Sequence, residues 1–161
     1  MPLHIRAAKN DDFPVLAQLS EPVQKLHAAL YPVDFKRDVD AVNVASFFER
    51  VAARPESAIA IAEQDGVPVG YIWFDISSRP ENAFKPPQSF VYIHHVSVAP
   101  DARRRGVASA MLAYAKEKAH AAGVDEIRLD TWIANVEARQ FFEAHGFAPF
   151  IVMLRRPAFT P

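Results

Sequence analysis

The chain has 161 residues, 50% of them hydrophobic and 23% charged, with a formal net charge of -1. That is one domain's worth of polypeptide (1–161), long enough to bury a core, and the near-neutral balance supplies no general field to attract nucleic acid. The absence of cysteine excludes disulfides, thiolate metal sites and a cysteine nucleophile.

The opening Met1-Pro2-Leu3-His4-Ile5-Arg6 has no long apolar region. Neither a signal peptide nor a membrane span is expected from it, and the cytoplasm is the expected compartment. Leu3 to Ala7 reads as a short strand. Asn10-Asp11-Asp12 offers a helix cap, Pro14 is tolerated in a first turn, and Val15, Leu16, Leu19, Val23 and Leu26 follow at helical spacing. Pro22 is expected to end or kink that helix. Tyr31 to Phe35 is a loop, and a second helix is predicted from about Val42 to Ala53, stopped by Arg54-Pro55.

Ser57 to Glu63 alternates as a strand, Asp65-Gly66 signals a turn, and Val67 to Ile76 returns as a long strand. Arg79 to Ser89 carries Pro80, Pro86 and Pro87 and reads as an irregular excursion. Phe90 to Val98, rich in β-branched and aromatic residues, is the central strand, broken by Pro100-Asp101. The next helix opens around Arg103-Arg104-Arg105-Gly106-Val107-Ala108. Its apolar stripe is Val107, Ala108, Met111, Leu112, Ala115 and Ala119, with Ser109, Lys116 and His120 on the wet face. Gly123 suits a left-handed cap at its end. Glu126 to Thr131 is a further strand, Asn135 caps a helix ending at His145-Gly146, and Phe147 to Arg155 is expected as the last strand. This order predicts an α/β sandwich, mostly antiparallel around a central parallel pair.

The strand–loop–helix from Phe90 to Gly123 carries the chemistry. A glycine and a small residue at a first turn let a ligand approach the backbone. Unpaired N–H groups and the positive end of the dipole make that turn an anion site. Arg103, Arg104 and Arg105 add forks for phosphate oxygens. The same residues also fit a solvated basic turn before an ordinary helix.

Arg103-x-x-Gly106-x-Ala108, after Val96-Ser97-Val98 and before an amphipathic helix, resembles the acetyl-CoA signature of the GNAT N-acetyltransferase superfamily. Asn135-x-x-Ala138-x-x-Phe141-Phe142-x-x-x-Gly146-Phe147 is similar to that family's C-terminal motif. The resemblance covers about Ala58 to Leu154, and the first fifty residues in outline. It implies a mixed, mostly antiparallel sheet flanked by helices, with two parallel strands that splay apart around the pantetheine arm. Val96, Ser97, Val98, Arg103, Arg104, Arg105, Gly106, Val107, Ala108, Ser109 and Asn135 are then the expected cofactor-binding residues for acetyl-CoA. Val96 and Val98 would contribute backbone groups to the pantetheine and the acetyl carbonyl, and the first fifty-five residues would shape the acceptor site.

The activity so implied is acetyl transfer to a primary amine, on a small molecule or a peptide. An amine of pKa about 10.4 must first lose its proton. His94 and His95 are the candidates. Neighbours in a strand point to opposite faces, so one of them is expected to face the cleft, and together they cannot chelate a metal. The resemblance favours His94 as base; a core histidine bonded to a neighbouring strand is the plainer reading. In the family a tyrosine on the C-terminal helix protonates the leaving thiolate. Here Phe142 stands at that position and no acid can be named. A non-catalytic CoA-binding module is therefore the alternative, and a homodimer is left open. Arg103 to Arg105 as a nucleic-acid contact is disfavoured by net charge and the lack of interleaved aromatics. With only five glycines, no GxSxG, GxGxxG or Walker loop can be written. His27, Tyr31, Phe35, Trp73 and the Phe84–Phe90 excursion are the candidates for choosing the acceptor.

Overall fold

The computed structural model describes residues 2–159, which divide into two compact units, residues 2–130 and 131–159. In the first, strands β1 (Leu3–Ala7), β2 (Ser57–Gln64), β3 (Val67–Arg79), β4 (Gln88–Val98) and β5 (Ile127–Leu129) form one sheet in that order. Neighbours are antiparallel except β4 and β5, which run parallel.

Helices α1 (Phe13–Leu30) and α2 (Ala41–Ala52) connect β1 to β2. Leu16, Leu19, Phe48 and Val51 from these helices pack with Ile59, Ile61, Tyr71 and Trp73 in one buried cluster. Pro22 does not end α1, which is continuous from Phe13 to Leu30. An interior proline costs about 3 kcal/mol; burying Leu16 and Leu19 against the sheet contributes enough to offset it. Helix α3 (Val107–Ala121) lies against the opposite face through Val107, Met111, Leu112, Ala115 and Ala119. With both faces covered, Ala60, Ile61 and Ala62 are buried in succession, so β2 lacks the alternation read from its sequence.

Gly70 sets the distance between β3 and α3. A Cβ there would sit 2.7 Å from the Ser97 carbonyl oxygen and 3.3 Å from a Val107 methyl, so only glycine admits this approach. Gly123 follows α3 with φ +69°, the left-handed cap expected of it.

In the second unit Asn135 caps α4 (Val136–Ala144), its Oδ1 accepting from the Ala138 N–H at 3.2 Å. The expected strand from Phe147 to Arg155 does not form. Phe150 to Leu154 are all exposed and no residue after Phe147 belongs to a strand among those described. Pro149 removes a donor from the start of this run, and a strand exists only where a partner takes up its backbone groups.

Candidate functional site

The site is organised by an irregularity in β4. Trp73 pairs with His95 but Phe74 pairs with Ile93, leaving His94 as an inserted residue. Such a bulge breaks the alternation of side chains. Both imidazoles therefore stand on the α1/α2 face, contrary to the opposite-face expectation. The His94 ring stacks on Trp73 at 4.2 Å and 17°, and the His95 ring meets the same indole edge-on at 4.9 Å.

Behind His94 lies Asp75, a buried carboxylate with four partners. Its Oδ1 accepts from Ser57 Oγ at 2.6 Å and from Trp73 Nε1 at 3.3 Å. Its Oδ2 meets an Arg54 guanidinium nitrogen and His94 Nε2, both at 2.9 Å. Burial pushes this carboxyl up, but the hydrogen bonds from Ser57 and His94 and the charge of Arg54 outweigh it and hold it below the usual carboxylate range. The His94 side chain remains 27% exposed. The Tyr92 ring lies 4.9 Å away, tilted at 58°, and its hydroxyl donates to Asp130. Burial and that carboxylate push the Tyr92 phenol up to about 12.

His95 has a different setting. Its Nδ1 meets the hydroxyl of fully buried Tyr71 at 2.9 Å, and its ring packs edge-on to Phe48. Burial, with the charges of His94 and His27 added, pushes its pKa down to about 4. Neutral His95 and the Tyr71 hydroxyl share one hydrogen bond through Nδ1. His95 is a packed, uncharged imidazole.

The bulge also turns the backbone. Val91 donates its N–H toward β5, to the Glu126 carbonyl, whereas Ala99 donates toward β3, to Val69. One inserted residue has exchanged the two edges. Val96 and Val98 consequently aim their backbone groups away from β3, on the side where β5 pairing has ended at Ile93 with Leu129. The parallel strands part there. Beyond them a single helical turn (Pro100–Ala102) leads to the arginine loop. Arg104 has φ +61° and Gly106 φ +78°, and Gly106 is the N-cap of α3. The helix thus begins at Val107, with Arg103 to Arg105 exposed in the loop before it. The N–H groups of a first helical turn have no intrahelical carbonyl to meet. The Arg103 Nε donates to the Val98 carbonyl at 3.3 Å.

Several other expected residues take up definite places. Ser97 is buried, gives its hydroxyl to the Leu19 carbonyl at 2.6 Å, and stands opposite Tyr71 in the β3–β4 ladder. Val107 turns its side chain into the core, and Ala108 and Ser109 complete the first turn. In the second unit the Phe142 ring packs against Phe141 and Phe147, and a phenyl side chain has no proton to give. Phe84, in the excursion after β3, is 94% exposed, whereas Trp73 lies against His94. Asp75, Ser57, Arg54, Tyr71 and Tyr92 were not singled out from sequence. A lone aspartate inside an otherwise apolar strand was the available signal for the first of them. No group of three or more metal-ligating side chains occurs among the described residues, and no helix there is long and apolar enough to cross a membrane.

The model of the Acetyltransferase (GNAT) family matches residues 21–147. Among curated proteins none matches the sequence. Solved structures do. The tetramutant of a Bacillus halodurans protein superposes with a TM-score of 0.89 at 20% identity, covering 96% of this chain and 99% of that one. Aminoglycoside N-acetyltransferase AAC(6')-Iy, in complex with CoA, gives 0.72 at 21% identity, covering 98% and 96%. A predicted acetyltransferase from Clostridium acetobutylicum, with acetyl-CoA, gives 0.72 at 17% identity, covering 96% of each. At these identities the likeness concerns the fold.

Proposed function

Since its residues 21–147 match the family model, the chain belongs to the GNAT acetyltransferase family, and from that premise we propose that it transfers acetyl directly from acetyl-CoA to a primary amine with His94 as the base. Acetyl-CoA is the acetyl donor of this family. The single observation carrying the proposal is positional. Strand pairing between β4 and β5 ends at Ile93, and the next residue is the bulged His94.

In the proposed reaction His94 accepts a proton from the ammonium form of the acceptor, directly or through water. The amine nitrogen then bonds to the thioester carbon. Backbone N–H groups of Val96 and Val98 stabilise the oxyanion, the C–S bond breaks to release CoA as thiolate, and the second proton of the bonded nitrogen passes to water as the amide forms. A thiol of pKa about 8.5 leaves without a positioned acid, which accommodates Phe142 in place of a donor. The pyrophosphate sits on the backbone amides from Arg104 to Ser109, spanning the arginine loop and the first turn of α3, with the side chains of Arg103 and Arg105 as charged neighbours.

The acceptor is a small-molecule or peptide amine meeting Trp73, Tyr92 and the α1/α2 layer, in the cytoplasm. AAC(6')-Iy has been seen with a bisubstrate analog, CoA-S-monomethyl-acetylneamine, so aminoglycosides join polyamines, amino acids and peptide N-termini in a panel read by CoA thiol release. Turnover on one class supports the proposal. Tight acetyl-CoA binding with no release across the panel would instead indicate the binding module, the reading that Phe142 favours.

A further inference from the structure

We infer that Asp75 is a positioning residue for His94, fixing the imidazole with its proton on Nε2 and leaving Nδ1 as the atom that takes the amine proton. The inference rests on the reading of His94 as the base. It begins from a chemical asymmetry. An ionised carboxylate only accepts hydrogen bonds. The 2.9 Å contact from His94 Nε2 to Asp75 Oδ2 therefore requires a hydrogen on Nε2 whether the ring is neutral or charged. The lone pair of the neutral ring is then at Nδ1.

The carboxylate cannot readily turn to relax this choice. Ser57 and Trp73 hold Oδ1 while Arg54 shares Oδ2. The β2–β3 register places Ser57 directly opposite Asp75, so one anchor is built into the sheet itself. The ring plane is held independently by the stacked Trp73 indole, and Tyr92 makes a tilted contact at 4.9 Å. Orientation and tautomer are thus fixed by separate contacts, an arrangement that prepares a base without itself touching substrate.

The charged and titratable surroundings are consistent with that role. Arg54, just after α2, neutralises part of the Asp75 charge; His95 on β4 stays uncharged; Tyr92 keeps its proton toward Asp130; His27 of α1 acts on His95. Asp75 is the anion in direct contact with the His94 ring among the described residues.

The test is the imidazole nitrogen spectrum of the intact ¹⁵N-labelled chain, followed through the pH range in which His94 becomes neutral. The expected result is a neutral His94 protonated on Nε2. A neutral ring protonated on Nδ1 would overturn the inference, and this needs no variant. In Asp75→Asn the amide can accept or donate, so the Nδ1-protonated tautomer should appear. In the same variant kcat for CoA release, with the best amine of the panel, should fall on the order of 10²-fold. The KM for acetyl-CoA should stay within about twofold, as for a change confined to the base. A folded Asp75→Asn with an unchanged tautomer and unchanged kcat would also overturn it. If Asp75→Asn does not fold, the wild-type spectrum decides alone. His94→Ala with full turnover would refute the base reading separately, because the tautomer is read without any assay of activity.

Discussion

The two sides of β4 solve different problems with different materials. On the α1/α2 face the chemistry is made of side chains: His94, Asp75 and Trp73 in mutual contact, with His95 packed beside them. Along the edge and toward α3 it is made of backbone, through Val96, Val98 and a loop bent at Arg104 and Gly106. The difference follows from what each side would handle. A proton needs one atom of suitable basicity, held in place. A pyrophosphate presents many oxygens and is met best by several fixed N–H groups. Substitutions on the first side should therefore change rate, and those on the second should change affinity.

The largest effect is expected at His94. His94→Ala should lower kcat/KM for the amine by roughly 10²–10⁴-fold, the range for a general base, while calorimetry finds acetyl-CoA affinity within about twofold. Its exposed ring adds little to the core, so thermal stability should change less than in His95→Ala.

The next effect separates the two histidines by pH. The folded pKa of His95 is about 4, below the usual histidine value of about 6.5, so the unfolded chain binds the extra proton as pH falls. Stability is full above pH ~6.5 and declines down to pH ~4, by on the order of 2–3 kcal/mol. Denaturant unfolding across this range should show the decline. His95→Gln should flatten it; an identical slope in that variant would place the titrating group elsewhere.

This pair also marks where the sequence was readable and where it was not. The strand, the arginine loop and α3 were legible because β-branched residues, Gly106 and a helical stripe each act locally. Asn135 as a cap was legible for the same reason. The shared face of His94 and His95 was not. Alternation is a property of β4 alone, whereas a bulge depends on how β3 pairs with β4. Asp75 escaped notice because Arg54 and Ser57 meet it only through the β2–β3 register. Pro22 misled because local cost was read without the burial that outweighs it. The apolar run from Phe147 has strand composition, but composition cannot supply a partner edge.

On the backbone side, Gly106→Val should weaken acetyl-CoA about tenfold or more. A Cβ at Gly106 meets no atom within 4 Å, so crowding is not the cause. Valine resists φ +78°, at a cost of about 1–3 kcal/mol, and the first-turn amides turn away when the loop relaxes. Unchanged affinity in a folded variant would remove the phosphate from this turn. The smallest effect belongs to Arg103→Ala. It should weaken acetyl-CoA only a few-fold, and more at low salt than at high, since an exposed charge is screened where a backbone cradle is not. Equal losses at both ionic strengths would mean that Arg103 serves Val98 rather than phosphate.

The central claim is that rate and affinity reside on opposite sides of one bulged strand, and the double variant His94→Ala/Gly106→Val tests it most directly. Acetyl-CoA affinity by calorimetry and kcat at saturating acetyl-CoA are measured for both single variants and the double. The two sites share no partner, so the free-energy changes should add within about 0.5 kcal/mol. His94→Ala should account for the loss in kcat and Gly106→Val for the loss in affinity. A loss of affinity in His94→Ala, a loss of saturated kcat in Gly106→Val, or coupling well beyond that margin would contradict the account.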